Sequence, residues 1–247
     1  MIDPHWLYLL PIIFLAYFCK ANTGFGAAIV IIALGAVIIG PLPALALSAV
    51  LEVIGGVALL RLDSTPDTRR FWAPLSFAMF LGTVAGGLLL RFFAVHYLRY
   101  IVCGALVAVG VWLIVFRSRR TSTLSERALP EAYRKKDLVV CLIAGTSAGL
   151  TGISAPPLLY HFGGKFAKEA VRRILTRVFL VESATRVVTY SVINVMQLKV
   201  LVLALVAIPV MFVGLYVGNH TFFKIPETAF SRIAGIVVIV MAIRLMA

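Results

Sequence analysis

The chain alternates long apolar stretches with short polar or basic breaks. Eight stretches stand out, approximately Trp6–Ile39, Ala44–Leu60, Trp72–Leu90, Tyr100–Phe116, Leu138–Phe162, Leu175–Val195, Val200–Val217 and Ala229–Met246. A helix needs about 20 apolar residues to cross a hydrocarbon layer about 30 Å thick. The spacing therefore predicts an all-α polytopic membrane protein. Two stretches do not read as single straight spans. The first is too long and is interrupted by Lys20-Ala-Asn-Thr-Gly-Phe-Gly26, and the fifth by Gly145-Thr-Ser-Ala-Gly-Leu-Thr-Gly-Ile-Ser-Ala-Pro-Pro157. Gly, Pro, Ser and Thr at that density break a helix, and broken backbone at membrane depth persists only where protein or enclosed water satisfies it. Each is expected to be a broken or re-entrant helix hairpin.

The pattern also repeats. Thr23-Gly24 in the first break lines up with Thr151-Gly152 in the fifth stretch, 128 residues on, and an acid, Glu52 or Glu182, stands inside the next stretch each time. Gly82-x-x-x-Gly86 matches Gly214-x-x-x-Gly218, 132 residues on. GxxxG alone is usually a helix-packing surface, within or between chains, and leaves room for a homodimer. The shared order of all these features marks two repeats of four apolar segments, 1–116 and 137–247, joined by a basic linker, 117–136.

Composition agrees: 62% of residues are apolar and the mean hydropathy is +1.03, against about 45–50% apolar residues in soluble domains. Lys and Arg outnumber Asp and Glu by 23 to 10, a net +13. In such a chain this excess belongs to cytoplasmic loops beside anionic lipid, not to nucleic-acid binding. If every stretch crosses with the amino terminus inside, twelve basic residues lie inside and seven outside; if the two broken stretches return to their own side, the split is fifteen to four. The second scheme is favoured. It gives each half three crossings and opposite orientation, the inverted-topology repeat of many secondary transporters. The linker is then cytoplasmic and the protein a multi-pass protein of the cell (inner) membrane. The first stretch is read as retained, because Asp3 stands where a signal peptide has basic residues. Cys19, Cys103 and Cys141 lie in or beside apolar stretches without metal or disulfide spacing, so they read as packing residues, and no cofactor or metal is expected.

Ala148-Gly-Leu-Thr-Gly-Ile-Ser-Ala-Pro-Pro-Leu-Leu-Tyr160, followed by Lys168-Glu-Ala-Val-Arg172, resembles the second-half signature of the TauE/SafE family of sulfite exporter-like permeases: a Gly-rich turn, Pro-Pro-Leu, then a basic/acidic pair. Asn22-Thr-Gly-Phe-Gly26 is similar to its first-half counterpart. The chain departs from the usual glycine cluster in carrying Ser154-Ala155 before the prolines and Ala27-Ala28 in the first half. The resemblance implies a permease that moves sulfite or small organosulfur anions such as sulfonates, usually outward.

An ionisable residue at membrane depth costs about 2.5 kcal/mol or more, so each such residue is a functional candidate. Lys20, with Asn22, Thr23 and Gly24, sits where a hairpin tip presents a cation and helix-opening N–H groups, and Thr151, Gly152 and Ser154 offer the same from the other break. Unpaired N–H groups at helix starts suit an oxyanion. Lys20 can equally pair with Glu52, and the hydroxyls can merely satisfy freed carbonyls. Glu182 and Arg186 lie one turn apart. They form either an intrahelical stitch or an anion ligand, Arg186, with its partner. Glu52 has no basic residue three or four positions away, so it pairs with Lys20 across helices or rests as the neutral acid; either state can couple transport to a proton. Arg172, Arg173 and Arg177 recur at helical spacing as a funnel for anions or as interfacial anchors. His161 reads as interfacial or pH-sensing, and Trp6, Trp72, Tyr97 and Tyr100 as interface belts. No Walker A pattern, HExxH or paired-Asp motif occurs. The expected activity is secondary transport; a passive anion channel and, behind it, an intramembrane enzyme are the alternatives.

Overall fold

The computed structural model describes residues 4–23, 26–61, 69–93, 95–115, 133–162, 168–221 and 227–246. After a short 3-10 turn, Pro4–Tyr8, the described residues form ten α-helices: α1 (Leu9–Thr23), α2 (Ala27–Ile39), α3 (Pro41–Arg61), α4 (Arg69–Leu89), α5 (Val95–Val115), α6 (Lys135–Thr151), α7 (Ala155–Phe162), α8 (Lys168–Val192), α9 (Leu198–Thr221) and α10 (Glu227–Met246). The first and fifth apolar stretches are the two that divide, into α1 with α2 and α6 with α7. Both divide at glycines in the left-handed region, Gly26 at φ +96° and Gly152 at φ +74°. A side chain is strained there, and glycine is not. Gly152 also closes α6, its N–H donating to the Ala148 carbonyl at 2.7 Å.

Each divided stretch folds back on itself. Gly35, late in α2, lies against Leu9 at the start of α1. His161 Nε2, late in α7, is 2.6 Å from Asp137 Oδ1 in the first turn of α6. That contact joins the outer ends of the second pair of legs and leaves residues 152–154 at its tip. Helix α8 begins at Lys168, two turns before the apolar stretch at Leu175, because its basic and acidic residues are good helix formers and the apolar boundary does not end the helix.

The helices assemble as two interleaved groups. Helices α4, α6, α7 and α8 share one apolar core, containing Leu75, Met79, Ala144, Leu158 and Val178. Helices α1, α2, α3, α5, α9 and α10 share the other, containing Ile13, Ile32, Leu47, Leu106, Leu203 and Val238. Their joint is the crossing of α3 with α8, backed by α4 on α8 and α9 on α3.

Glycines set the closest crossings. A Cβ at Gly82 or Gly86 of α4 would collide with the Leu142 or Thr146 carbonyl of α6, and one at Gly145 or Gly149 of α6 with the Met79 or Thr83 carbonyl of α4. The backbones touch. Gly214 and Gly218 of α9 lie in the same way against the Phe14 and Phe18 carbonyls of α1. Both GxxxG motifs therefore bind a helix of this same chain.

Among the described residues, four helices are long and apolar enough to cross a membrane: α3, α4 (continuing to Phe92), α5 and α9. The periphery exposes Phe77, Phe92, Val188, Leu205 and Tyr216, large apolar side chains that lipid accommodates and water does not. Cys19, Cys103 and Cys141 are all buried.

Candidate functional site

The α3–α8 crossing carries the buried polar chemistry. Ser48, Glu52 and Gly56 recur every four residues along α3, and Glu182, Arg186 and Tyr190 every four along α8, so each set forms one stripe. Glu52, Glu182 and Arg186 are 7%, 3% and 1% exposed. Gly56 of α3 lets α8 approach: its missing Cβ would stand 3.1 Å from Leu180 Cδ1.

Two ion pairs meet there. Lys20, in the last turn of α1, donates through Nζ to Glu52 Oε2, and its Nζ also lies 5.6 Å from the Tyr17 ring centre. Within α8, Arg186 Nε approaches Glu182 Oε1 to 2.6 Å. The Nε–H is poorly aligned with that oxygen, so this contact is chiefly one of charge. Arg186 Nη1 instead reaches across to Ser48 Oγ at 3.2 Å, and the Ser48 hydroxyl donates to the Leu45 carbonyl at 2.8 Å. Tyr190 ties α8 to the second break, its hydroxyl donating to the Gly149 carbonyl at 2.8 Å. A guanidinium this buried is suited to an oxyanion that takes the place of its carboxylate partner.

A narrow cleft, with free space of about 20 Å³, lies against this cluster. Its walls bring together Gly26 from the first break, Gly152, Ile153 and Ser154 from the second, and Glu52, Glu182 and Arg186. A second narrow cleft, with free space of about 10 Å³, is lined by Lys20, Thr176 and Glu52. Glu52 and Phe179 line both and so stand between them.

The residues singled out in the sequence thus fall in different places. Gly152, Ser154, Glu52, Glu182 and Arg186 line the first cleft; Lys20 lines the second and is held by Glu52. Thr151 is buried, but its hydroxyl donates to the Ser147 carbonyl at 2.7 Å, a bond within α6. Gly24 and the side chains of Asn22, Thr23 and Arg172 lie outside the described residues. Arg173 is exposed on the first turns of α8, and Arg177 rests over the Trp72 ring at 5.7 Å. Neither lines either of these two clefts. Ser48 and Tyr190 take part although the sequence did not single them out. Their one signal is a position one turn from Glu52 and from Arg186. Among the described residues no group of three His, Cys, Asp or Glu could hold a metal.

No curated protein and no solved structure matches the chain. The family model for the sulfite exporter TauE/SafE matches residues 9–245, nearly the whole length. With its apolar helices and buried charge cluster, this integral membrane protein belongs to the TauE/SafE sulfite exporter family of permeases.

Proposed function

We propose that the protein is a secondary transporter that exports sulfite or a small organosulfur anion by alternating access around the cleft between its two broken stretches. The observation that carries this is the convergence of both breaks with Arg186 in one buried cleft. Arg186 is the anion ligand, a buried guanidinium on the cleft wall, and Gly152, Ile153 and Ser154 line the same cleft. Glu182 is the internal counter-ion that the substrate displaces. Lys20 positions Glu52 from the neighbouring cleft.

Charge balance supports proton coupling. Lys20 and Arg186 cancel Glu52 and Glu182, so an entering monoanion leaves one excess negative charge, and a proton on one carboxylate removes it. Anion and proton leaving together move no net charge, so the membrane potential neither drives nor opposes that coupled step. The burial of the whole cluster favours a carrier over an open channel, whose path would stay hydrated.

The two halves act as inverted repeats, with α1–α2 and α6–α7 re-entrant from opposite sides. The reciprocal packing of α4 on α6 and of α9 on α1 supports this, since exchanging the halves exchanges the two contacts. The fold-back of α7 onto the start of α6 supports a hairpin whose ends, with the 117–136 linker, face the cytoplasm. Single cysteines in place of Lys135 and Tyr160, both exposed, are expected to react with an impermeant thiol reagent only from the cytoplasmic face. Labelling of the two positions from opposite faces would exclude the hairpin.

A ligand that binds only the folded protein stabilises it by about 2.7 kcal/mol at one hundred times its Kd. Thermal melting of purified protein with sulfite, sulfate, thiosulfate, taurine and sulfoacetate is expected to show stabilisation by sulfite or a sulfonate above sulfate. Equal melting temperatures across the panel, with no countertransport in proteoliposomes, would refute the transport reading.

A further inference from the structure

Beside the charged cleft lies a larger chamber of about 390 Å³, within the range of about 300–1,000 Å³ typical of ligand pockets. It separates α5 from α7, whereas α10 packs directly on α2. Ala108 and Trp112 of α5 form one wall, and Pro156, Pro157 and Tyr160 of α7 the other. Ile153, 2% exposed, lines both this chamber and the charged cleft, so a single side chain at the unwound tip stands between them.

The chemistry of the two spaces differs. The cleft carries three ionisable groups, while the residues lining the chamber include no charge. The Trp112 Nε1–H beside it is buried and bonds to nothing. A bare oxyanion finds no charged partner there and would lose its hydration, so the chamber is a poor path for sulfite. A hydrocarbon gains by entering it, at about fourfold in affinity for each methylene buried.

We infer that this chamber takes the short hydrocarbon tail of an organic sulfonate whose charged head lies in the cleft with Arg186, with Ile153 as the sill between them. This rests on the transport reading above and narrows it: the preferred cargo is an alkyl sulfonate, and sulfite is carried as a headgroup without a tail.

Two measurements test it separately from transport itself. In a protein with Trp6→Phe and Trp72→Phe, Trp112 is the sole tryptophan. Its emission is expected to shift saturably with pentanesulfonate, at a concentration at least tenfold below any effect of methanesulfonate, and not with sulfite. An equal response to pentanol would make the chamber a groove for lipid chains, and no response would leave it empty of ligand; either overturns the assignment. Ala108→Leu fills the chamber from an exposed, loosely packed position. It is expected to lower pentanesulfonate flux at least tenfold and to keep sulfite flux within twofold of wild type. Equal loss of both fluxes, or loss of neither, refutes the tail chamber. If the wild type moves neither anion, the transport reading fails, and the Trp112 titration still decides whether the chamber binds the tail.

Discussion

Replacing Glu182 and Arg186 together with glutamine is expected to leave the protein folded and to lower anion flux in proteoliposomes by about 100-fold or more. The double change is the informative one. Removing a single member of a buried ion pair leaves an uncompensated charge and costs about 3–5 kcal/mol of stability, whereas replacing both is often neutral. Arg186→Gln alone would strand Glu182, which is 3% exposed, and a loss of flux could then reflect unfolding. In the double variant the helix keeps its shape and the cleft loses its guanidinium. A charge-assisted hydrogen bond is worth about 1.5–3 kcal/mol, and loss of the long-range attraction adds to it, so a deficit near 100-fold follows. If the pair were only a stitch within α8, the double variant would transport like wild type. Melting temperature and flux, measured on the same preparation, separate the outcomes. Lys20→Met with Glu52→Gln is the companion experiment. Lys20 lines only the neighbouring cleft, so a smaller loss is expected there, and a larger one would transfer the role of anion ligand to Lys20.

Gly86→Val is expected to be the most damaging of simple apolar substitutions. Its Cβ would meet the Thr146 carbonyl, carbon and Cα, all backbone of α6, which cannot rotate away as a side chain can. Overpacking a core costs about 1–3 kcal/mol when side chains can adjust. Here α4 and α6 must move apart, which also separates Gly82, Gly145 and Gly149 from their contacts, so a loss at or above that range is expected. The measurement is thermal melting in detergent, with monodispersity on size exclusion as a second readout. Gly104→Ala is the control: a Cβ there meets nothing within 4 Å, and a helical alanine in place of glycine is neutral or stabilising. If Gly86→Val melts like the wild type, the close crossing of α4 with α6 is wrong.

How much of this was legible beforehand follows from what each residue demands of its surroundings. The two breaks were legible, because Gly26 and Gly152 occupy backbone conformations that only glycine adopts easily, and the Gly, Ser, Thr and Pro around them cannot continue an apolar helix. The pairing of Lys20 with Glu52 was legible as one of two alternatives, since charges buried in lipid need partners and few were available. The bond from Arg186 to Ser48 was not: a serine on an apolar helix usually bonds its own backbone, as Ser48 also does. For the same reason Thr151, chosen for its place in a break, serves the backbone of α6. The GxxxG motifs announced close packing but not their partners, because a bare backbone face is equally complementary to any other. Only the assembled helices show that Gly82 meets α6 and Gly214 meets α1.

That last pairing has a bearing on how the protein is made. Phe14 of α1 rests on Gly214 of α9, 200 residues later in the chain. At a synthesis rate of about 5–20 residues per second, α1 waits on the order of 10–40 s in the membrane before the helix that covers it exists. Helix α1 spans only 15 residues and carries Lys20 in its last turn, whose counter-ion Glu52 arrives with α3. Helix α1 is thus among the least able to stand alone, and a chain that stops before α9 exposes to the membrane's quality control the same face that holds the finished protein together.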